Sequence, residues 1–151
     1  AIGKTDSSKL QELIDVYEKR LQHYINFEIE IIPDLKKTKN LSEEQQKNKE
    51  GELILKKLSP TDVLILFDEK GKQFTSVEFS QYLQKKMNSG IKQLVFLIGG
   101  PYGFSNEVYA KASGKISLSK MTFSHQMVRL FITEQVYRAF TILKNEPYHH
   151  Q

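Results

Sequence analysis

The sequence contains no cysteine and no long apolar run, and each absence excludes a class of protein. Without cysteine, the chain cannot form a disulfide scaffold, a thiolate zinc site or a cysteine-ligated iron–sulfur cluster. The longest apolar runs, Val63–Phe67 and Leu94–Ile98, are much shorter than the roughly 20 residues that a membrane-spanning helix needs. No signal peptide is predicted at the start of the sequence. The absence of cysteine fits a reducing compartment.

Length and charge set two further limits. A chain of 151 residues predicts one domain spanning 1–151, long enough to bury roughly 68–70% of its unfolded surface. The formal net charge is +4 and the isoelectric point is about 9.1. This modest excess permits an RNA or phosphate partner, and it equally describes an ordinary lysine-rich surface.

Five stretches with a strand pattern alternate with five that have a helix pattern. The strand stretches are apolar or alternate apolar with polar residues, and they lie at 1–4, 27–32, 63–67, 94–98 and from Ile116. The helix stretches repeat apolar residues at helical spacing, and they lie at 7–24, 53–58, 75–90, 105–112 and 127–145. This alternation predicts an α/β fold whose mostly parallel sheet is sandwiched by helices.

Two helix starts have the spacing of a capping box, in which two side chains cap the first turn reciprocally. The pairs are Ser42 with Gln45 and Thr75 with Glu78. The first half of Asp34–Lys57 is predicted to be a mobile, solvated loop. RNA contact by its lysines, Lys37 among them, is the alternative. Asp68–Gly71 is predicted to form a loop that ends the preceding strand.

The segment Gly99–Gly103 follows one buried strand and precedes a helix. Glycines there allow a ligand to approach the backbone, and the helix N-terminus offers free N–H groups. The spacing is neither G-x-G-x-x-G nor that of a P-loop, because no Lys-Ser/Thr follows the last glycine. Two interpretations stay open, a ligand-binding loop and a tight turn that needs positive φ.

The stretch Ile116–Gln126 begins as a strand, passes through a polar loop and enters the last helix. Open α/β folds bind ligands in loops at the carboxyl ends of strands. Residues Ser119–Phe123 can shape a pocket from backbone amides and apolar side chains, or they form an ordinary connection. Lys120 either meets a phosphate or is solvated.

The four histidines carry weaker signals. Too few acidic residues lie at suitable spacing to predict a metal site, and no Ser–His–Asp arrangement follows from the spacing. His125 is either a neighbour of the last helix cap or a site residue. Tyr148 and His149 lie in the terminal tail after Pro147, and an aromatic residue there indicates that the tail packs on a surface, such as that of a partner subunit.

Four segments, in this order, resemble one known family: Ile98–Gly103, Ser117–Gln126, Glu134–Phe140 and Pro147–His149. Together they resemble the ribosomal RNA large subunit methyltransferase H family, small bacterial enzymes of the SPOUT class, and the similarity covers essentially the whole chain. The resemblance implies an S-adenosylmethionine-dependent enzyme that methylates N3 of a pseudouridine in 23S rRNA on assembled ribosomes. It also implies a cytoplasmic homodimer with a C-terminal trefoil knot, although general topology rules argue against knots.

The resemblance also implies the residues that bind the cofactor. They end one predicted strand, open the glycine loop and form the loop before the last helix: Phe67, Gly99, Leu118, Ser119, Lys120, Met121, Thr122 and Phe123. The sequence departs from the family at Ser124, where many relatives have proline, and this departure predicts a less rigid loop. No metal is implied.

Catalytic roles are predicted for His149, Tyr148 and Arg129. His149 would act as a base or position the acceptor, at the cofactor site of the other subunit. Arg129 and Arg138 are predicted to contact phosphate or the partner subunit. Two other functions stay open: a non-catalytic ribosome- or RNA-binding module with the same fold, and a nucleotide enzyme that binds phosphate at the glycine loop.

Overall fold

A computed structural model describes residues 1–36 and 38–150 of the chain. Its helices are α1 (Ser8–Leu21), α2 (Glu43–Lys57), α3 (Ser76–Asn88), α4 (Asn106–Lys111) and α5 (His125–Leu143), and a short 3-10 helix spans Thr38–Asn40. Its strands are β1 (Val63–Gln73), β2 (Leu94–Ile98) and β3 (Gly114–Ser117). Strands and helices alternate from β1 onward, and the predicted α/β class is confirmed.

The three strands form one parallel sheet in the order β2-β1-β3. Phe67 of β1 pairs with Ile98, the last residue of β2. On its other side, Phe67 pairs with Ile116, near the end of β3. The carboxyl ends of β2 and β3 therefore flank Phe67 at one edge of the sheet, which is where α/β folds place ligands.

The sheet is buried on both faces, as its apolar runs predict. On one face Ile65 packs with residues of α1, α3 and α5. On the opposite face Leu64 and Leu66 pack with residues of α2 and α4. Within the described residues, none of the helices is long and apolar enough to cross a membrane.

Strand β1 is longer than predicted because its pairing resumes after a bulge. Phe67 and Lys72 both pair with Ile116, so the residues between them are an insertion in β1 relative to β3. The predicted loop Asp68–Gly71 thus lies within β1, and the prediction that the strand ends at Phe67 was wrong. Gly71 crosses β3 so closely that a Cβ there would lie 2.4 Å from the carbonyl carbon of Ile116.

The two strands predicted at 1–4 and 27–32 form only a single bridge. Ile2 and Ile32 pair in parallel, and the N–H of Ile2 also donates to the carbonyl of Ile98 at 3.3 Å. In the described part of the chain, the hydrogen bonds that join the backbone of residues 27–32 to other backbone groups all involve residues 1–3. The prediction of two regular strands was wrong, because this pairing is too short for a continuous ladder.

Helix α2 begins at Glu43, directly after Ser42, where the capping-box spacing predicts a helix start. The Ser42 Oγ accepts from the N–H of Gln45 at 3.1 Å, and the Gln45 Oε1 accepts from the N–H of Ser42 at 2.9 Å. This capping box is as predicted, as is the one at Thr75. The prediction of a loop for the first half of Asp34–Lys57 was wrong from Glu43 onward, where α2 begins, although most residues of its first turns are exposed. Lys37, predicted within the loop, falls outside the described residues.

Ser42→Ala is expected to lower the free energy of unfolding by about 1 kcal/mol, because it removes the acceptor that caps the N–H of Gln45. Ser42→Asp is the control, since aspartate caps helices about as well as serine. Urea unfolding followed by circular dichroism measures both variants. Equal stability of Ser42→Ala and the wild type would contradict a stabilising role for this cap.

Candidate functional site

An apolar cavity of about 320 Å³ lies where Phe67 faces the end of β3. Its wall is formed by β1, β3, the segments that follow them, α3 and α5, through Phe67, Phe74, Thr75, Ser76, Phe79, Ile116, Ser117, Leu118, Phe123, Phe131, Ile132 and Gln135. The volume is at the lower end of the range for small-molecule pockets, roughly 300–1,000 Å³. Apolar side chains with a few polar groups are the usual lining of such pockets.

Three of the eight predicted cofactor residues, Phe67, Leu118 and Phe123, line this cavity. The ring of Phe123 meets that of Phe131 nearly edge-on, with 5.3 Å between centroids, and Phe123 is 38% exposed. The ring of Phe67 contacts Phe96 of β2 at the same centroid distance. The rings of Phe67, Phe123 and Phe131 line the cavity and form an apolar wall suited to a flat aromatic ligand.

The other five predicted residues lie outside the cavity wall: Gly99, Ser119, Lys120, Met121 and Thr122. Lys120, Met121 and Thr122 are exposed, and Met121 is 74% exposed. Gly99 follows β2 directly and packs so closely on Phe104 that a Cβ would lie 2.9 Å from its ring. Four of these five residues lie between Leu118 and Phe123 in the chain, and Gly99 follows Ile98, which pairs with Phe67.

The loop between β3 and α5 is held by its own serines. The Ser117 Oγ donates to the carbonyl of Ser119 at 2.8 Å, and the Ser119 Oγ accepts from the N–H of Met121 at 3.0 Å. Ser124 is the N-cap of α5 and accepts from the N–H of Gln126 at 3.4 Å. Ser124, which was predicted to make this loop less rigid, therefore ties the loop to the helix that follows.

The glycine loop is closed by a turn and backed by a buried carboxylate. The N–H of Gly103 donates to the carbonyl of Gly100 at 3.2 Å, and Gly103 has a φ of 78°. The carboxylate of Glu50 in α2 is buried, accepts from Gln46 at 2.9 Å and lies 3.2 Å from where a Cβ on Gly100 would be. The positive φ fits the turn interpretation of the loop, and Glu50 was not among the predicted site residues.

Two of the polar residues at the cavity wall, Ser76 and Gln135, are ones that sequence reasoning missed. The Ser76 Oγ donates to Gln135 Oε1 at 2.8 Å, and this bond joins α3 to α5. The Gln135 Nε2 donates to Glu134 Oε2 at 2.9 Å. An amide and a hydroxyl are thereby held in fixed positions at the cavity wall.

The C-terminal tail packs on α1 and α5 of its own chain. The Tyr148 hydroxyl donates to Glu134 Oε1 at 3.0 Å and lies 3.3 Å from the hydroxyl of Tyr17. Its ring meets that of Tyr137 at a centroid distance of 4.8 Å. Burial, followed by the hydrogen bonds with Tyr17 and Glu134, raises the pKa of Tyr148, so this phenol stays protonated at neutral pH. The prediction that the tail packs on a surface is confirmed.

Arg138 joins the tail to Glu134. Its Nε and Nη2 donate to Glu134 Oε1 at 3.0 and 2.6 Å, and its Nη1 lies 3.3 Å from Nδ1 of His149. Its guanidinium carbon lies 4.7 Å from the centroid of the Tyr148 ring. The hydrogen bond to Glu134 raises the pKa of Arg138. Arg138, predicted to contact phosphate or a partner subunit, is engaged within its own chain, and neither Tyr148 nor His149 lines the cavity.

Arg129 lies away from the tail and is only 2% exposed. Its Nη1 donates to the Thr5 Oγ1 at 3.1 Å, and its Nη2 donates to the carbonyl of Ile2 at 2.5 Å. Burial lowers the pKa of Arg129, while the carboxylates of Asp34 and Asp6 oppose this shift. The prediction that Arg129 contacts phosphate does not fit this burial. Its contacts hold the start of the chain against α5.

His125 is the first residue of α5, directly after the N-cap Ser124, and it does not line the cavity. This placement fits the prediction of a cap neighbour better than that of a site residue. Across residues 1–36 and 38–150, no group of three or more histidine, aspartate or glutamate side chains is arranged to hold a metal ion.

Comparison with known proteins identifies the family. The chain matches the family described as "Predicted SPOUT methyltransferase" over residues 1–149. The chain belongs to the SPOUT methyltransferase family. The resemblance inferred from the four sequence segments is confirmed.

Relatives of this SPOUT methyltransferase are similar along its whole length. Proteins named "Ribosomal RNA large subunit methyltransferase H" from Flavobacterium psychrophilum and Christiangramia forsetii are 74% and 71% identical to it. The alignments cover 100% and 99% of this chain and 96% of each relative. The protein of that name from Parabacteroides distasonis is 67% identical, over 99% of this chain and 96% of the relative.

One sequence signal in this SPOUT methyltransferase, a capping box, predicts the position of a polar residue of the cavity. The capping box of Thr75 and Glu78 places Ser76 at the first residue of α3. No comparable signal marked Gln135, which the sequence placed only on the polar side of the last helix. Its role depends on α3 and α5 lying side by side, and helical periodicity alone does not contain that information.

Proposed function

We propose that this chain transfers a methyl group from S-adenosylmethionine to N3 of a pseudouridine in 23S rRNA, acting on the assembled ribosome. The observation that carries the proposal is the apolar cavity formed by Phe67, Leu118 and Phe123 beside the end of β3. The family is one of methyltransferases, and relatives that match the whole chain are named for large-subunit ribosomal RNA. Both findings support the function that the sequence resemblance implies.

The residues of the cavity fit the adenosine part of S-adenosylmethionine. Phe67, Leu118 and Phe123 would hold the adenine ring by apolar contact, and Ser76 and Gln135 offer a hydroxyl and an amide to its polar atoms. When bound, S-adenosylmethionine supplies an electrophilic methyl group on sulfur. Backbone contacts from Gly99 and from residues 119–122 remain part of the proposal.

The chain would accelerate the transfer mainly by holding the acceptor nitrogen in line with the methyl group. Such positioning supplies on the order of 7–11 kcal/mol. The N3–H of the pseudouridine must also lose its proton, which passes to solvent in this proposal. We assign contact with the acceptor base to the tail residues Tyr148 and His149. The hydroxyl of Tyr148 donates its proton to Glu134, and the pKa of Tyr148 is raised, so Tyr148 is not the base.

We infer that a single domain spanning 1–151 works as a cytoplasmic homodimer and carries a C-terminal trefoil knot. Large apolar side chains are exposed on α1, at Leu13 and Val16, and near the start of α5, at Met127. Exposed apolar side chains of this kind support the proposal that a second copy of the chain covers this surface. Gly71 crosses closely over Ile116. This crossing supports a knot in which the chain that follows β3 threads past the segment that follows Phe67.

Methyl transfer to assembled ribosomes and to free 23S rRNA, with the modified base mapped by mass spectrometry, tests the function. We expect S-adenosylmethionine to bind in calorimetry and the assembled ribosome to be the better substrate. Absence of S-adenosylmethionine binding would favour a non-catalytic RNA-binding module. Binding of ATP or NAD in its place would favour a nucleotide enzyme.

A further inference from the structure

Arg138 constrains which nitrogen of His149 carries the proton. Its Nη1 lies 3.3 Å from Nδ1 of His149. A guanidinium has five N–H donors and no acceptor, and it is not deprotonated in proteins. Nδ1 must therefore accept this hydrogen bond with its lone pair. We propose that Arg138 fixes His149 as the neutral tautomer with its proton on Nε2, and that Arg138 and Glu134 are positioning residues for the tail.

Glu134 holds the guanidinium in the orientation that this hydrogen bond needs. Its Oε1 accepts from Nε and Nη2 of Arg138, which leaves Nη1 directed towards His149. The same oxygen accepts from Tyr148, the residue before His149. The side chains of Arg138 and Glu134 are only 25% and 17% exposed, so solvent and salt screen this pair less than a surface ion pair.

The same hydrogen bonds connect the tail to the cavity. They run from Ser76 at the cavity wall through Gln135, Glu134 and Arg138 to His149. Both oxygens of Glu134 are used, Oε2 by Gln135 and Oε1 by Arg138. Helix α5 therefore holds one wall of the cavity and the tail in a fixed relation.

The tautomer decides between the two roles considered for His149. With Nδ1 occupied by Arg138, the nitrogen left over is an Nε2–H donor, which cannot take a proton from a substrate. Applied to the reaction, this conclusion rests on the proposed function. Carbonyl oxygens flank N3 in a uracil ring, and a donor directed at one of them stabilises negative charge that develops on the ring. His149 thus positions the acceptor and is not its base.

Nitrogen-15 NMR of the histidine-labelled chain tests the tautomer without any activity measurement. We expect a protonated Nε2 and an unprotonated Nδ1 for His149 at neutral pH, with the signals assigned by their loss in His149→Ala. Arg138→Met removes the donors and should shift these signals towards those of a free, exchanging imidazole. An Nδ1–H tautomer or an imidazolium in the wild type would overturn the proposal.

Arg20→Met is the matched control for Arg138→Met. The guanidinium of Arg20 lies over the rings of Tyr17 and Tyr137, 5.4 and 5.6 Å from their centroids, in the same aromatic cluster. The His149 signals should stay unchanged in this variant, because the one guanidinium hydrogen-bonded to His149 in the described part of the chain is that of Arg138. An equal shift in both variants would assign the effect to the aromatic cluster and would contradict the proposal.

Kinetics test whether Arg138 acts through His149. Arg138→Met should lower kcat for ribosome methylation about tenfold, through misplacement of His149, with the Kd for S-adenosylmethionine unchanged. Arg138→Lys should recover part of this loss, because one ammonium group serves Glu134 or His149 but not both. In a His149→Ala background, Arg138→Met should have little further effect. If the losses in kcat from Arg138→Met and His149→Ala multiplied in the double variant, the positioning role would be overturned. A wild type without methyl transfer would refute the proposed function and leave the NMR result to decide the tautomer.

Discussion

Gly71→Ala should destabilise the fold by about 3 kcal/mol or more, at the upper end of the range for overpacking substitutions. The new Cβ would lie 2.4 Å from the carbonyl carbon and 2.6 Å from the nitrogen of Ile116. Both atoms belong to the backbone of β3, so no side-chain rotation relieves the overlap. Either the bulge of β1 or the strand beside it must move. For a chain of this size we expect the melting temperature to fall by roughly 6–12 °C.

Gly114→Ala is the matched control for this prediction. It also adds a methyl group in the sheet, on β3 itself, but its Cβ would meet only the flexible Cδ1 of Ile65, at 3.4 Å. Calorimetric melting at equal protein concentration compares the two variants, because association makes melting temperatures depend on concentration. Equal melting temperatures for the two variants would show that the crossing of Gly71 over β3 is not tightly packed.

The same substitution should weaken ligand binding. Ile116 and Phe67 both line the cavity. They pair with each other where the bulge that contains Gly71 begins. A shift of the bulge therefore changes the shape of the cavity at two of its walls. We expect S-adenosylmethionine affinity to fall in Gly71→Ala at temperatures where the variant is still folded.

The parts of the fold that the sequence predicted depend on local or periodic signals. The apolar runs at Val63 and Leu94, and the capping boxes at Ser42 and Thr75, each specify their own segment. The bulge of β1 depends instead on a contact between Gly71 and Ile116, which are far apart in the chain. A polar stretch with a glycine has the same local pattern in a loop and in a bulge, so it was predicted as a loop.

The site was predicted unevenly for the same physical reason. Phe67 and Leu118 follow from the rule that ligands bind at the carboxyl ends of strands, together with a resemblance to known enzymes. Arg129, on the polar side of the last helix, was predicted to contact phosphate or the partner subunit. Its burial depends on residues 2–5 packing across that side, which helical spacing does not reveal. Gln135 is the opposite case. The packing of α3 on α5 places it in the candidate site, although helical spacing did not predict it there.

Phe123→Ala is expected to weaken S-adenosylmethionine binding roughly threefold to sevenfold. Phe123 lines the cavity, and a bound ligand would cover the 38% of the residue that is now exposed. Burying a whole phenylalanine side chain contributes about 1.5–3 kcal/mol, so covering this fraction contributes about 0.6–1.1 kcal/mol. Each 1.4 kcal/mol corresponds to about a tenfold change in Kd. The free energy of unfolding should also fall, because the part of the ring that packs on Phe131 is lost from the ligand-free protein.

Calorimetry of S-adenosylmethionine binding, together with steady-state methylation, measures this effect. The KM for S-adenosylmethionine should rise while kcat at saturation stays close to the wild-type value, since the ring contributes equally to the ground state and the transition state. Met87→Ala is the control, because Met87 at the end of α3 is also 38% exposed and does not line this cavity. An unchanged Kd in Phe123→Ala would remove the cavity from the proposed cofactor site. A loss confined to kcat would instead place Phe123 on the acceptor side of the reaction.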